Sequence, residues 1–450
     1  EGRAAAVAAA GAAADGGLLD AAERWRGVAG TRDGAAAARA RVRGALAAGL
    51  AGDLDAAVRD LAAARLQVPD PAPRGLAMLL RGTATVVEAV TGEFDRAARH
   101  LAGLATATVA ADPMAVERWD ELGVTVTAAG GDLHAARAML GGAAVPTPRG
   151  RLLAAWLDLR TGHLASAREG LSAASVTTVL RRDALLGAAV GVGLARRTGD
   201  RHALAAAWHR VAPVVAGVDV EPLLLDVWGE LSVAAALVAP AARDTLEAAV
   251  QAAVVRAGSP AWAVGAAQWW RFERAVAALP GVAPDPGAAA TVADVAERLG
   301  ALAAAHPALH DRARAAATWA AVLTGPVART AVEATAARLA DAGLRLEAAT
   351  LCRAAAARSA DPATARGLLG TGRGLGMASA PARRAGDAGL SEREREVGAL
   401  VVDGLTHREI GARLYISPKT VEQHVARLRQ KLAASNRATL VAALRPHVGG

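Results

Sequence analysis

Apolar positions recur with helical spacing along most of this chain, and the pattern is clearest near its end, in LSEREREVGALVVDGLTHREIGARLYISPKTVEQHVARLRQKLAASNRATLVAAL. Ser391 with Glu394, and Thr406 with Glu409, are S/T-x-x-E capping boxes, in which side chain and backbone satisfy each other's free amides at a helix start. Ser417-Pro418 marks a third start, with Ser as cap and Pro at the first helical position, where its missing N–H costs nothing. Gly404 closes the first of these helices. Only Tyr415 and Ile416 separate the second from the third, which suits the sharp corner of two crossed helices with Ile416 filling it. On the third helix Val421, Val425, Leu428 and Leu432 fall at i, i+4, i+7 and i+11 and predict one buried stripe. Lys419, Gln423, Ala426 and Gln430 fall opposite. A cation, amides and a methyl group are the chemistry that meets base edges and phosphates in a major groove. Glu422 and Arg427 lie on the two shoulders of that face, with Arg429 and Lys431 in reach of a nucleic-acid backbone.

The body of the chain carries a repeat from about Arg39 to Trp208. Its core is Gly, an often charged residue, an apolar residue, two variable positions and Ala. It occurs as Gly52-Asp53-Leu54 to Ala57, Gly92-Glu93-Phe94 to Ala97, Gly131-Asp132-Leu133 to Ala136 and Gly162-His163-Leu164 to Ala167, with a weaker copy opening at Gly199-Asp200. The intervals, about 31 to 40 residues, suit one antiparallel helix pair each. Glycine then supplies the left-handed turn that closes one helix, and the small alanine lets the next approach its neighbour. The pattern resembles tetratricopeptide-like superhelical repeats, although most of that family's Trp, Tyr and Pro positions are missing. Between Pro222 and Ala357 the helical period continues with less regular spacing, and Gly343 with Ala348-Ala349 opens a further pair. The predicted fold is all-α: a helical-repeat array followed by a four-helix terminal unit.

The terminal segment resembles the C-terminal helix-turn-helix of the LuxR family of bacterial transcription regulators. L-S-x-R-E-R-E-V, the G-L-T-x-R-E-I turn, I-S-x-x-T-V-x-x-H-V and K-L appear in that family's order and spacing. The resemblance implies a third helix in the major groove of promoter DNA and a fourth, about Asn436 to Leu444, that pairs two copies into a homodimer. Carried over by position, it implies that Glu422, Gln423 and Ala426 face bases while Lys419, Thr420, Arg427 and Lys431 hold phosphates. Thr406-His407, Ala433 and Ala426 depart from the residues usual in the family. Alanine at 426 implies contact with a thymine methyl in place of a hydrogen bond. His424 also matches a family position, with a hydrogen bond at the protein's own corner or to phosphate as its expected role.

Composition narrows the rest. The net charge of +8 suits a polyanionic partner, and residues 389–450 hold ten basic against six acidic side chains, half of that excess. With 53% apolar residues but 3% aromatics, cores must be built from Ala, Leu and Val, which favours closely spaced helices over sheets. The only lysines are Lys419 and Lys431, so no Walker A phosphate loop is present. A phospho-acceptor receiver domain is disfavoured for the same reason. One cysteine, Cys352, allows no internal disulfide and fits a cytoplasmic location. No apolar run reaches the ~18 residues that span a bilayer.

The expected domains are an Ala-rich leader or first helices over 1–38, the repeat array over 39–366 sensing a small-molecule or protein effector, a flexible linker over 367–388, and the DNA-binding unit over 389–450. Gly370, Gly372, Gly374 and Gly376 read as linker. His306 and His310 lack a third metal ligand; Trp262, Trp269 and Trp270, beside Arg271, could line a concave ligand groove, but their spacing favours a packed helix face; and no catalytic constellation or cofactor motif stands out. Two other readings remain open at this point: the C-terminal part of a large ATP-binding LuxR-type regulator, and a protein-interaction scaffold with secondary DNA binding.

Overall fold

A computed structural model describes residues 2–105, 118–141, 147–175, 180–198, 201–279, 286–325, 327–376, 392–414, 417–431, 434, 439–441 and 444. The regular elements among them are all helices. The chain divides into two compact units, Glu1–Ala380 and Pro381–Gly450.

The first unit runs α1 (Gly2–Ala14), α2 (Leu18–Gly30), α3 (Gly34–Leu50), α4 (Leu54–Arg65), α5 (Arg74–Thr91), α6 (Phe94–Ala105), α7 (Trp119–Ala129), α8 (Leu133–Leu140), α9 (Pro148–Arg160) and α10 (Leu164–Ser175). It continues with α11 (Arg181–Thr198), α12 (Arg201–Val215), α13 (Leu225–Val238), α14 (Pro240–Arg256), α15 (Ala261–Ala278), α16 (Pro286–Ala305), α17 (His310–Thr324), α18 (Arg329–Asp341), α19 (Arg345–Arg358) and α20 (Pro362–Gly376). Most helices pack on the next in sequence. A second row forms where α3 meets α5, α7 meets α9, α9 meets α11, α11 meets α13, and α13 meets α15.

The sequence repeat is the corner of each hairpin. Gly52, Gly92, Gly131, Gly162 and Gly343 all have left-handed φ, between 83° and 110°. At each corner the glycine amide bonds three residues back and the next amide five residues back, as in Gly52 N to Gly49 O (3.1 Å) with Asp53 N to Ala48 O (2.8 Å), which satisfies the last carbonyls of the closing helix. Asp53 and Asp132 then cap the following helices by accepting the amides of Ala56 (3.1 Å) and Ala135 (2.8 Å). The alanine five residues past each glycine (Ala57, Ala97, Ala136, Ala167 and Ala348) is fully buried. Close approach adds a second demand for glycine: a Cβ at Gly52 would lie 2.9 Å from Pro222 Cγ, and one at Gly343 3.1 Å from Thr161 Cγ2. The weaker copy at Gly199-Asp200 lies outside the described residues.

One boundary expectation changes. Residues 2–14 and 18–30 are helices, with Leu18, Ala21 and Trp25 buried. Residues 367–376, expected in the linker, belong to α20. Asp361 caps this helix through the amides of Ala363 and Thr364, Leu368 is buried, and Gly372 sits where a Cβ would meet Cys352 Cβ at 3.2 Å. Of the glycines that look like a hinge, Gly372 is a contact point between α20 and α19, whereas Gly370 and Gly374 have open space around them.

The core of the array is not wholly apolar. Glu230 on α13 accepts from Arg196 Nε (2.7 Å) and Nη2 (3.0 Å) and from Arg197 Nη1 (3.0 Å), both on α11. Arg160, 1% exposed, lies 3.6 Å from Glu347 and 3.8 Å from Glu230 and stacks over Trp270 with its carbon 4.8 Å from the ring centre. Burial works against ionised Glu230, but the adjoining Arg196 and Arg197 hold its carboxyl well below the ordinary range. Burial, reinforced by Glu347, pushes Glu273 up to about 8.

Candidate nucleic-acid interface

The second unit contains α21 (Glu392–Val402), α22 (His407–Leu414) and α23 (Pro418–Lys431), with residues 439–441 and 444 also helical. Its core is Val397 and Val401 from α21, Ile410 from α22, Val421, Val425 and Leu428 from α23, and Leu440 and Leu444, all at most 5% exposed. Helix α23 packs on both α21 and α22.

The local signals act as their chemistry requires. Gly404 (φ +87°) ends α21, with its amide on Val401 O (3.2 Å) and that of Leu405 on Leu400 O (3.1 Å). Thr406 and Glu409 form a reciprocal capping box: the Thr406 amide donates to Glu409 Oε2 (2.8 Å) and the Glu409 amide to Thr406 Oγ1 (3.4 Å). Those bonds to Thr406 also hold the Glu409 carboxyl below its usual range. Ser417 Oγ accepts the Thr420 amide at 3.1 Å and lies 2.8 Å from the Thr420 hydroxyl, fixing the first turn of α23. Ser391, Tyr415, Ile416, Leu432 and Ala433 lie outside the described residues.

One face of α23 is therefore committed to the core and the other left to solvent. Lys419, Glu422, Gln423, Ala426 and Arg429 are exposed, while Val421 and Leu428 are fully buried. Thr420 is half-buried, its hydroxyl shared with Ser417. His424 is half-buried, and its Nδ1 is enclosed with no hydrogen-bond partner among the described residues. The side chains of Arg427, Gln430 and Lys431 lie outside the described residues, although the helix backbone at all three is described. Sequence reasoning passed over Arg408 and Arg413, both exposed on α22. The signal was present as basic residues on the polar side of a short amphipathic helix.

The other candidates belong to the first unit. Trp269 and Trp270 are buried, the latter donating Nε1–H to Asp226 (2.7 Å), and Trp262 donates to Val90 O (3.0 Å). Cys352 is buried and its thiol is pushed up to about 11 by burial. His306 precedes a 3₁₀ turn, Pro307–Leu309, that separates it from the helix starting at His310. Among the described residues no cluster of three or more His, Cys, Asp or Glu side chains is placed to hold a metal. No helix there is long and apolar enough to cross a membrane.

Two helices only three residues apart in the chain, packed on each other and braced by a third, with the polar face of the second left open, define a helix-turn-helix DNA-binding unit. Residues 388–444 match the family described as bacterial regulatory proteins, luxR family. The spore germination protein GerE of Bacillus subtilis is 44% identical over 55 residues, covering 12% of this chain and 74% of that protein. The chain belongs to the luxR family. A putative HTH-type transcriptional regulator of Mycobacterium bovis is 41% identical over 69 residues, and the probable transcriptional regulatory protein NarL of Mycobacterium tuberculosis 49% identical over 53. These matches cover 15% and 12% of this chain, and it spans only 8% and 24% of the lengths of those two relatives.

Proposed function

We propose that this chain is a sequence-specific transcriptional regulator whose α23 lies in the major groove of promoter DNA and whose helical array senses a ligand or partner. The observation that carries the reading is the division of α23, with Val421, Val425 and Leu428 in the core and Lys419, Glu422, Gln423 and Ala426 in solvent. Glu422, Gln423 and Ala426 face base edges: a carboxylate accepts from cytosine, an amide suits adenine, and a methyl suits thymine. Lys419, Thr420, Arg427 and Lys431 hold phosphates and set the register, joined by Arg408 and Arg413 on the helix that crosses the backbone. Two copies pair through the helix ending near Leu444 and occupy half-sites ~10 base pairs apart, centre to centre. Function in the cytoplasm, without enzymatic activity, follows from that role.

Selection of bound DNA from a random pool by the full chain tests this. A two-fold related motif with that spacing is expected. Recovery of unrelated sequences, each bound at micromolar strength or weaker in physiological salt, would favour the interaction-scaffold reading.

A further inference from the structure

The hairpin corners of the first unit converge on a cavity of about 410 Å³, within the size range of a small-molecule site at ~300–1,000 Å³. Phe94, Trp156, Trp262, Leu153 and Leu157 give it an apolar and aromatic wall. Phe94 and Trp262 meet edge to face with ring centres 5.0 Å apart, and the Trp262 N–H is occupied by Val90 O, so the indole offers only its ring.

Its charged lining is unbalanced. Asp132, Asp226, Asp311 and Asp341 reach the cavity against one guanidinium, Arg312, and one imidazole, His134. Arg312 is bound to Asp226 (3.3 Å) and stacked near Trp269, and Asp311 is bound to Arg338 (2.5 Å). Asp132 and Asp341 are exposed and come from adjoining corners, since a Cβ on Gly343 would lie 3.3 Å from Leu133 Cδ1. Asp132 spends Oδ1 on the Ala135 amide, and the Asp341 carboxylate makes no side-chain hydrogen bond among the described residues, although Arg338 also stands within electrostatic reach of it. Asp341 is also the last residue of α18, and the C-terminal end of α7 lines the same wall. An acid at a helix C-terminus opposes the macrodipole, so a cation placed there is stabilised by both. Aromatic faces beside it add cation–π attraction.

We infer that this cavity binds an organic cation with an aromatic or aliphatic body and rejects anions of the same size. The inference rests on the reading of the array as a sensor and names the chemistry it senses. The test uses the full chain with two fluorescent probes of opposite charge, berberine as an aromatic cation and 1-anilinonaphthalene-8-sulfonate as an aromatic anion. Berberine should bind saturably at one site, with the sulfonate at least tenfold weaker. Asp341→Asn should weaken berberine at least threefold without lowering the melting temperature, and Ala308→Trp, which fills the cavity from its lining, should abolish binding. Equal or tighter binding of the sulfonate, no saturable binding of berberine, or indifference to both substitutions overturns the inference. DNA affinity measured on the same samples separates the two claims. Intact DNA binding beside failed cation binding refutes only the ligand, whereas lost DNA binding refutes the regulator.

Discussion

Replacing Ser417 separates what the first turn of α23 does for folding from what it does for DNA. Its hydroxyl accepts the Thr420 amide at 3.1 Å, one of the donors that a helix N-terminus leaves free. The Thr420 hydroxyl beside it is only half-buried, so water can replace Ser417 as its partner, and the loss is that of a single cap. Ser417→Ala should then cost ~1 kcal/mol of local stability. In the full chain, amide exchange at the start of α23 should run about fivefold faster, the factor that energy corresponds to. Ser417→Asp keeps the acceptor and adds a negative charge at the helix N-terminus, worth ~0.3–1 kcal/mol. Exchange should therefore be no faster than in the native protein, yet DNA affinity should fall, because the charge stands where phosphates approach. Unchanged exchange in Ser417→Ala would refute the cap. Tighter DNA binding by Ser417→Asp would refute the placement of this end of α23 against the backbone.

Other outcomes follow from the same geometry. Glu273, pushed up to about 8 from an ordinary 4.5, folds in its neutral form, so its contribution is whole below about pH 4.5 and is lost as pH rises through about 8, with a slope of at most ~1.4 kcal/mol per pH unit. Glu273→Gln should flatten the fall in melting temperature across that window and melt higher at pH 8; parallel profiles would contradict this. Gly52→Ala and Gly131→Ala both force a left-handed alanine, costing ~1–2 kcal/mol, but only at Gly52 does the Cβ meet atoms at 2.9 and 3.3 Å, whereas Gly131 is open. Urea midpoints should fall further for Gly52→Ala, and equal losses would count against the packed corner. Arg427→Ala should weaken binding to all DNA sequences alike and reduce the salt slope by ~1, in contrast to a base-contacting residue.

What the sequence exposed was local chemistry. The cap at Thr406, the glycine closing α21 and the Gly-to-Ala corners each need residues only three to five positions apart, and the structure uses them so. The buried ion cluster left no such trace, because Arg160 and Glu347 meet across 187 positions, and a charge read alone looks solvated. Of the cavity the sequence offered only Trp262 as a groove candidate, because the rest of the wall is assembled from corners distant in the chain. Residues 367–376 misled because glycine serves both hinges and close helix contacts, and only the neighbour at 3.2 Å from a Cβ on Gly372 separates the two uses. On α23 the period of the valines and leucines was enough, since a helix this short can hide only one stripe.

The central claim is that the solvent face of α23 reads bases. It is tested most directly by measuring the affinities of the native chain and of Gln423→Ala for the selected site and each of its single-base variants at fixed salt. The native chain should discriminate at one position per half-site by ~1–3 kcal/mol, and Gln423→Ala should lose discrimination there alone. Unchanged discrimination at every position, or a uniform loss across all of them, would contradict it.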